Sequence, residues 1–360
     1  MSRPNDQVQV LVFDMNAICY AAAFLPAFAK LEHDGQGTGV ILGGLNSVLA
    51  ALNAHPNAIA VGLWDGKAQW RHALYPGYKA GRDDSPEKRA AKAMVREQGP
   101  LLTALLMEAG FAQIRHPDAE ADDLAGFIVT SLSAKGVATR MVTGDTDWWQ
   151  AIGEHADWYS TRDHRVVDLQ GLRELAGASH SPKDGWRSPR EYLDAKIIAG
   201  DSSDEIDGVA GFGLITAAKF LRATTHGEGL KDILNGDFDG KGVLAERLRS
   251  PEADALIVRN SALMDWSLSA APSAEHLAAV AYEPDVASAQ DHARRYGLRD
   301  VVKRMPAAFD RARTCDHPLW RDVVRAIEWE PHQRGVDESD ELEEQRAAAA
   351  PQMKAQEPCL

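Results

Sequence analysis

Ala119-Glu120-Ala121-Asp122-Asp123-Leu124 puts three carboxylates into four positions and is followed by apolar residues at Leu124, Ile128, Val129 and Leu132. That later spacing is helical, so the acids open a helix whose far side is buried. At about 100° per residue, Glu120 and Asp123 share a face and Asp122 stands apart, so the cluster can serve more than one neighbour. Acids are favoured in a first helical turn by the helix dipole, which is the plain reading of the cluster. Three so close also repel one another, and that repulsion calls for a cation or a basic ligand nearby.

Working outward from this stretch, strand-like and helical runs alternate. Val8 to Phe13 reads as a strand with Asp14 directly after it, and Ala58 to Trp64 as a second with Asp65 after it. A helical pattern (Val40, Ile41, Leu45, Val48, Leu49, Leu52) lies between them. Leu101 to Met107 is helical, Gly110 starts a short strand ending near Ile114, and Val137 to Val142 is a strand leading into Thr143-Gly144-Asp145-Thr146-Asp147. The alternation implies an α/β fold with a mostly parallel sheet covered by helices on both faces. Each of these acids falls at or just past the C-terminal end of a strand, the edge where open α/β sheets bind ligands. Any one of them alone reads as a loop or cap aspartate. As a set, Asp14, Asp65, Glu120, Asp122, Asp123, Asp145 and Asp147 read as one cleft.

A second region begins near Ser188, where Ser188-Pro189-Arg190-Glu191 is a capping box with proline at the first helical position. The helix runs to about Ala199 and ends at Gly200-Asp201-Ser202-Ser203-Asp204, which adds two acids. Gly208-Val209-Ala210-Gly211-Phe212-Gly213 then forms a tight hairpin before the helical pattern Leu214, Ala217, Ala218, Leu221. Backbone N–H groups exposed at such a helix start suit a phosphate. Between Asp65 and Leu101 lie Arg71, Lys79, Arg82, Lys88, Arg89, Lys92 and Arg96. Lys88, Lys92 and Arg96 recur every four residues, so a helix would carry them as one cationic stripe, either a solvated face or a track for a nucleic-acid strand. Trp70, Tyr75 and Tyr78 interleave with these bases and are either stacking groups or core.

Composition sets the bounds. The 360 residues are 45% hydrophobic and 26% charged, with a formal net charge of −14, which excludes a uniformly basic nucleic-acid coat. Cys19, Cys315 and Cys359 show no paired spacing, so a cysteine-based zinc site is excluded and a reducing, cytoplasmic setting is expected. No targeting segment is recognisable, and the apolar run Ala17 to Ala29 is too short for a bilayer. After Glu330, seven acids stand against three bases, a composition expected of a disordered tail or a lone helix.

Carboxylates without His or Cys select hard divalent ions, Mg²⁺ or Mn²⁺, and nine acids exceed the needs of one ion. Two ions, with bases and a glycine hairpin for phosphate contacts, make a metal-dependent nuclease. The residues also carry a resemblance. Phe13-Asp14-Met15-Asn16, Trp64-Asp65, Leu74-Tyr75-Pro76-Gly77-Tyr78-Lys79-Ala80-Gly81-Arg82, Ala119 to Asp123, Thr143 to Asp147 with Gln150, and Gly200 to Gly213 come in the order of the 5′-nuclease family. That family comprises phage 5′–3′ exonucleases, the small domain of bacterial DNA polymerase I and flap endonucleases.

The resemblance implies a PIN-like domain over 1–185 with a helical arch at about 79–100. It further implies a helical DNA-binding region with a helix-three-turn-helix over 186–330, followed by the acidic tail, 331–360. It assigns Asp14, Asp65, Glu120, Asp122 and Asp123 to a first ion, and Asp145, Asp147, Asp201 and Asp204 to a second. Lys79 and Arg82 would contact the scissile phosphate, with Asp122 and Asp145 as the central acids. Arg71, Tyr78, Lys88, Arg89, Lys92, Arg96, Gly208, Gly211 and Gly213 would contact DNA, and the hairpin carbonyls could hold K⁺. The implied substrates are DNA with 5′ ends or flaps and RNA in RNA–DNA hybrids, cut by a monomer, with replication proteins as candidate partners of the tail. One departure is Ile215, where the family's turn often has lysine. A phosphatase of the haloacid-dehalogenase type is disfavoured, because its first motif needs an acid where Asn16 stands. A DNA-binding accessory protein without catalysis is the remaining alternative, and the full set of nine acids argues against it.

Overall fold

The computed structural model describes residues 8–81, 85–175, 181–269, 276–309 and 314–327. Arg82 and the acidic tail therefore lie outside the described residues. The strands are β1 (Val10–Asp14), β2 (Glu32–His33), β3 (Gln36–Gly37), β4 (Ile59–Trp64), β5 (Ala112–Arg115) and β6 (Thr139–Thr143). They continue with β7 (Ala156–Ser160), β8 (Val166–Val167), β9 (Gly200–Asp201), β10 (Ile206–Asp207) and β11 (Ala278–Val280). Seven of them form one sheet in the order β11-β5-β4-β1-β6-β7-β8. The five inner strands are parallel, and β8 and β11 close the edges antiparallel.

The inner strands are apolar throughout because both faces of the sheet are covered. In β1, Val10 and Val12 join one core, while Leu11 and Phe13 join the other. The helices Met15–Phe24, Gly39–Ala54 and Pro86–Glu108 bury residues in the second core, and Ala121–Ala134, Pro189–Ala199 and Pro251–Met264 bury theirs in the first. The first core runs on from sheet residues into the helices beyond 186 without a break.

Three features differ from the sequence reading. Residues 79–81 lie in a turn, and one 23-residue helix, Pro86–Glu108, takes up 86–100, its later turns burying Leu102, Leu105 and Leu106. The helix continues through Pro100 into the run read separately as Leu101 to Met107. Strand β7 adds a parallel strand beyond those expected from the sequence, and β11 lies where a helical region is expected. The latter is three residues long, Ala278-Ala279-Val280, too short to show an alternating pattern, and is set by pairing with β5. Among the described residues, no helix is long and apolar enough to cross a membrane.

Candidate metal centre and nucleic-acid interface

The parallel register brings the strand ends level. Asp14 pairs in register with Leu63, two residues before Asp65, and Phe13 pairs with Val142, three before Asp145. Asp14 ends β1 and caps the helix that follows, accepting from Ala17 N at 2.8 Å and from Thr143 Oγ1 at 2.9 Å. Asp65 accepts from Asn16 Nδ2 at 2.8 Å and from the helix-start N–H of Ala121 at 2.9 Å. Asp145 caps a 3-10 helix, Thr146–Ala151, by accepting from Asp147 N at 2.9 Å.

The three opening acids part company. Asp123 accepts from both terminal nitrogens of Arg71 at 2.7 Å each and from Glu120 N at 2.9 Å, which completes a capping box. Glu120 accepts two bonds from Lys79 Nζ at 2.8 Å and one from the Tyr78 hydroxyl at 2.8 Å. Asp122 faces elsewhere and accepts from Trp148 Nε1 at 2.7 Å. Its carboxyl is held well above the usual range by burial and then by the charges of Asp145 and Asp14.

Asp147, Asp201 and Asp204 form a second group whose ligand oxygens lie within 4.8 Å of one another. Lys196, in the last turn of Pro189–Ala199, donates to Asp147 and lies 2.6 Å from Asp201 Oδ2. Ser203 also donates to Asp201 from its N–H (2.7 Å) and hydroxyl (2.6 Å). Burial works against the Asp201 charge, yet Lys196 and Ser203 hold its pKa below the ordinary value.

Asp14 is pushed up to about 7 by burial and by Asp65. Asp147 reaches about 7 as well, burial and Asp145 outweighing Lys196. Such shifts mark carboxylates that are buried first and crowded by one another second. The donors are oxygens alone, so the residues fit hard divalent ions. Lys79 takes part from a left-handed backbone position, φ 54, where a non-glycine residue is strained. The turn is stapled there by Lys79 N donating to Asp204 O (2.9 Å) and Gly81 N donating to Glu205 Oε2 (2.5 Å).

Three expectations need correction. Arg71 is only 3% exposed, and its guanidinium is taken by Asp123 and by the Leu263 carbonyl, so it is an internal ion pair and has no face toward DNA. Asp123 pairs directly with Arg71 and caps its own helix start, so its charge is met from within the fold. Tyr78 is also 3% exposed with its hydroxyl on Glu120, so it buttresses the acid and does not stack on bases. Lys88, Arg89, Lys92 and Arg96 do stand exposed along the first half of their helix.

Gly211 and Gly213 are exposed at the hairpin tip, and Gly211 has φ +88. A Cβ on Gly208 would meet the Ala199 backbone at 2.1 Å, so only glycine lets the hairpin close onto the preceding helix. Lys196 and Trp148 were not read as site residues. Their carboxylate partners lie across the fold, so no local spacing announces them.

A PIN-like α/β sheet with an all-carboxylate cleft at the C-terminal strand edge defines the class of protein. Residues 9–177 match the family model described as "5'-3' exonuclease, N-terminal resolvase-like domain". The chain is 30% identical over 215 residues to a thermostable DNA polymerase I of Thermus filiformis, covering 59% of this chain and 23% of the polymerase. It is 33% identical over 172 residues to flap endonuclease Xni of Pectobacterium carotovorum, covering 48% of this chain and 60% of the relative. The chain thus spans less than two thirds of either relative. Among solved structures, T5 5′-exonuclease with bound zinc shares the fold at a TM-score of 0.58 and 19% identity, over 84% of this chain and 99% of that one. The bacteriophage T5 D15 flap endonuclease in complex with DNA and metal ions superposes with the same score and coverage at 18% identity.

Proposed function

We propose that the chain is a metal-dependent 5′–3′ exonuclease or flap endonuclease that hydrolyses phosphodiester bonds at DNA 5′ ends or flaps. The observation that carries this is the pairing of two buried carboxylate groups at one sheet edge with Lys79 held between Glu120 and Asp204. Asp14, Asp65, Asp122 and Asp145 would hold one ion, and Asp147, Asp201 and Asp204 another, with Mg²⁺ or Mn²⁺ the fitting ions. Such ions, when bound, supply an activated water and counter-charge for the leaving oxygen.

Lys79 is then released from the acids to the scissile phosphate, where its charge is stabilising as negative charge develops. Glu120 can reach an ion only once Lys79 has let it go. The exposed Lys88, Arg89, Lys92 and Arg96 supply a track for the strand entering the cleft. The hairpin Gly208 to Gly213 presents backbone to the duplex phosphates, with K⁺ as the ion its carbonyls suit. In this reading residues 1–185, together with Asp201 and Asp204, carry the chemistry, the rest of 186–330 grips the duplex, and the acidic tail recruits a partner protein.

The deciding assay offers 5′-flap, nicked, blunt and RNA–DNA hybrid substrates to the purified full chain. Wild type and Asp145→Asn are compared with Mg²⁺, with Mn²⁺ and with EDTA. Cleavage by wild type alone, abolished by EDTA, is expected. Release of no nucleotide with any divalent ion would replace this reading with that of a DNA-binding accessory protein.

A further inference from the structure

We propose that Trp148 is a positioning residue whose indole N–H fixes the Asp122 carboxylate, committing one oxygen and keeping the other for a divalent ion. The inference rests on the metal-dependent reading above and deepens it. Asp122 stands among the negative charges of Asp145, Asp14 and Glu120, with Lys79 the opposing cation. A carboxylate in that company turns away from its neighbours unless something holds it. Trp148 Nε1 donates to Asp122 Oδ1 at 2.7 Å, and the side chain is fully buried. An indole nitrogen only donates, so Oδ1 is occupied in a fixed direction.

The ring cannot follow the acid outward, because it is wedged. Trp266 meets it edge-on at 6.0 Å and 86°. Trp266 N donates to Gln150 Oε1 at 3.0 Å, and Gln150 Nε2 donates to the carbonyls of Asp147 (3.0 Å) and Met264 (3.2 Å). Trp148 and Asp147 belong to the 3-10 helix capped by Asp145. One short rigid segment thereby sets acids of both groups, directly for Asp145 and Asp147 and through the indole for Asp122. Hydrogen-bond partners behind a metal ligand commonly carry tenfold or more of the affinity.

Trp149 is the internal control. It is the next residue and is also buried, yet its Nε1 has no hydrogen-bond partner. Its ring packs against Trp158 at 5.6 Å and Tyr192 at 4.9 Å.

The test measures Mn²⁺ binding calorimetrically to the full-length wild type, Trp148→Phe and Trp149→Phe, with thermal unfolding of each metal-free protein alongside. Trp148→Phe should weaken Mn²⁺ binding roughly 10- to 100-fold with its unfolding temperature close to wild type. Trp149→Phe should leave Mn²⁺ affinity within about twofold. Equal losses in the two variants would reduce the effect to packing, and unchanged affinity in Trp148→Phe would overturn the inference alone. A wild type that binds no Mn²⁺ would overturn the nuclease reading together with it. Should Trp148→Phe fail to fold, the wild-type indole N–H resonances decide. Saturation with Mg²⁺ should shift the Trp148 signal and spare that of Trp149, and a Trp148 signal indifferent to the ion would end the proposal.

Discussion

The cleft has two sides that handle negative charge differently. On one, Glu120 and Asp123 are neutralised from within by Lys79 and Arg71, and their oxygens are committed. On the other, Asp14, Asp122 and Asp145 face one another, and burial raises the pKa of all three. Asp147 is intermediate, with Lys196 against it but Asp145 and Asp201 close by. The first side is neutralised within the fold, and the second crowds buried carboxylates together. The same six-residue stretch supplies acids to both, because successive helix positions point about 100° apart.

The largest effect that separates the two sides should come from Asp145→Asn, with a loss of cleavage of roughly a thousandfold or more and DNA binding retained. A cleavage assay beside a binding assay reads it, and loss of both together would make Asp145 part of the frame. On the other side, Arg71→Met strands Asp123 in the interior. Unfolding free energy should fall by about 3–5 kcal/mol, the range for breaking a buried pair. Denaturant unfolding checks this, and a near-wild-type midpoint would show that the pair is dispensable.

Lys79→Ala should lower turnover by about 100-fold while Mn²⁺ affinity holds or improves, because Glu120 is freed. Unchanged turnover would confine Lys79 to the frame. The pH response should be smaller still. The folded-state pKa values of Asp14 and Asp147, about 7 against an ordinary 3.8, are raised. Their contribution to stability is therefore complete below about 4 and is lost as pH rises through about 7. The metal-free unfolding temperature should fall across that window, Mn²⁺ should restore it, and Asp147→Asn should flatten the slope. A metal-free stability that rises over the same window would contradict the raised values. The smallest effect belongs to the exposed helix. Replacing Lys88 and Lys92 by Gln should weaken DNA binding several-fold and reduce the salt slope by about 2, measured by titration at several salt concentrations.

Much of this was legible in order along the chain. Apolar runs ending in Asp14, Asp65 and Asp145 gave a parallel sheet and its functional edge, because strand ends in such a sheet are level by construction. The divergence of Asp122 from Glu120 and Asp123 followed from helix periodicity alone. The short strand β11 and the continuous helix through Pro100 did not follow, since pairing with β5 and packing against the sheet decided them. Arg71 and Tyr78 were misread because a basic or aromatic residue looks alike in sequence whether it meets solvent or a buried carboxylate.

By itself the sequence determined which residues could be acids at the edge of a sheet, and in what order they came. Periodicity and strand-end position are local properties of the chain. The tertiary structure decided which of those acids already own a cation. Arg71 lies 52 positions from Asp123, Lys196 lies 49 from Asp147, and Trp148 lies 26 from Asp122. An ion pair or a hydrogen bond acts over a few ångströms of space, and only folding brings such distant positions that close.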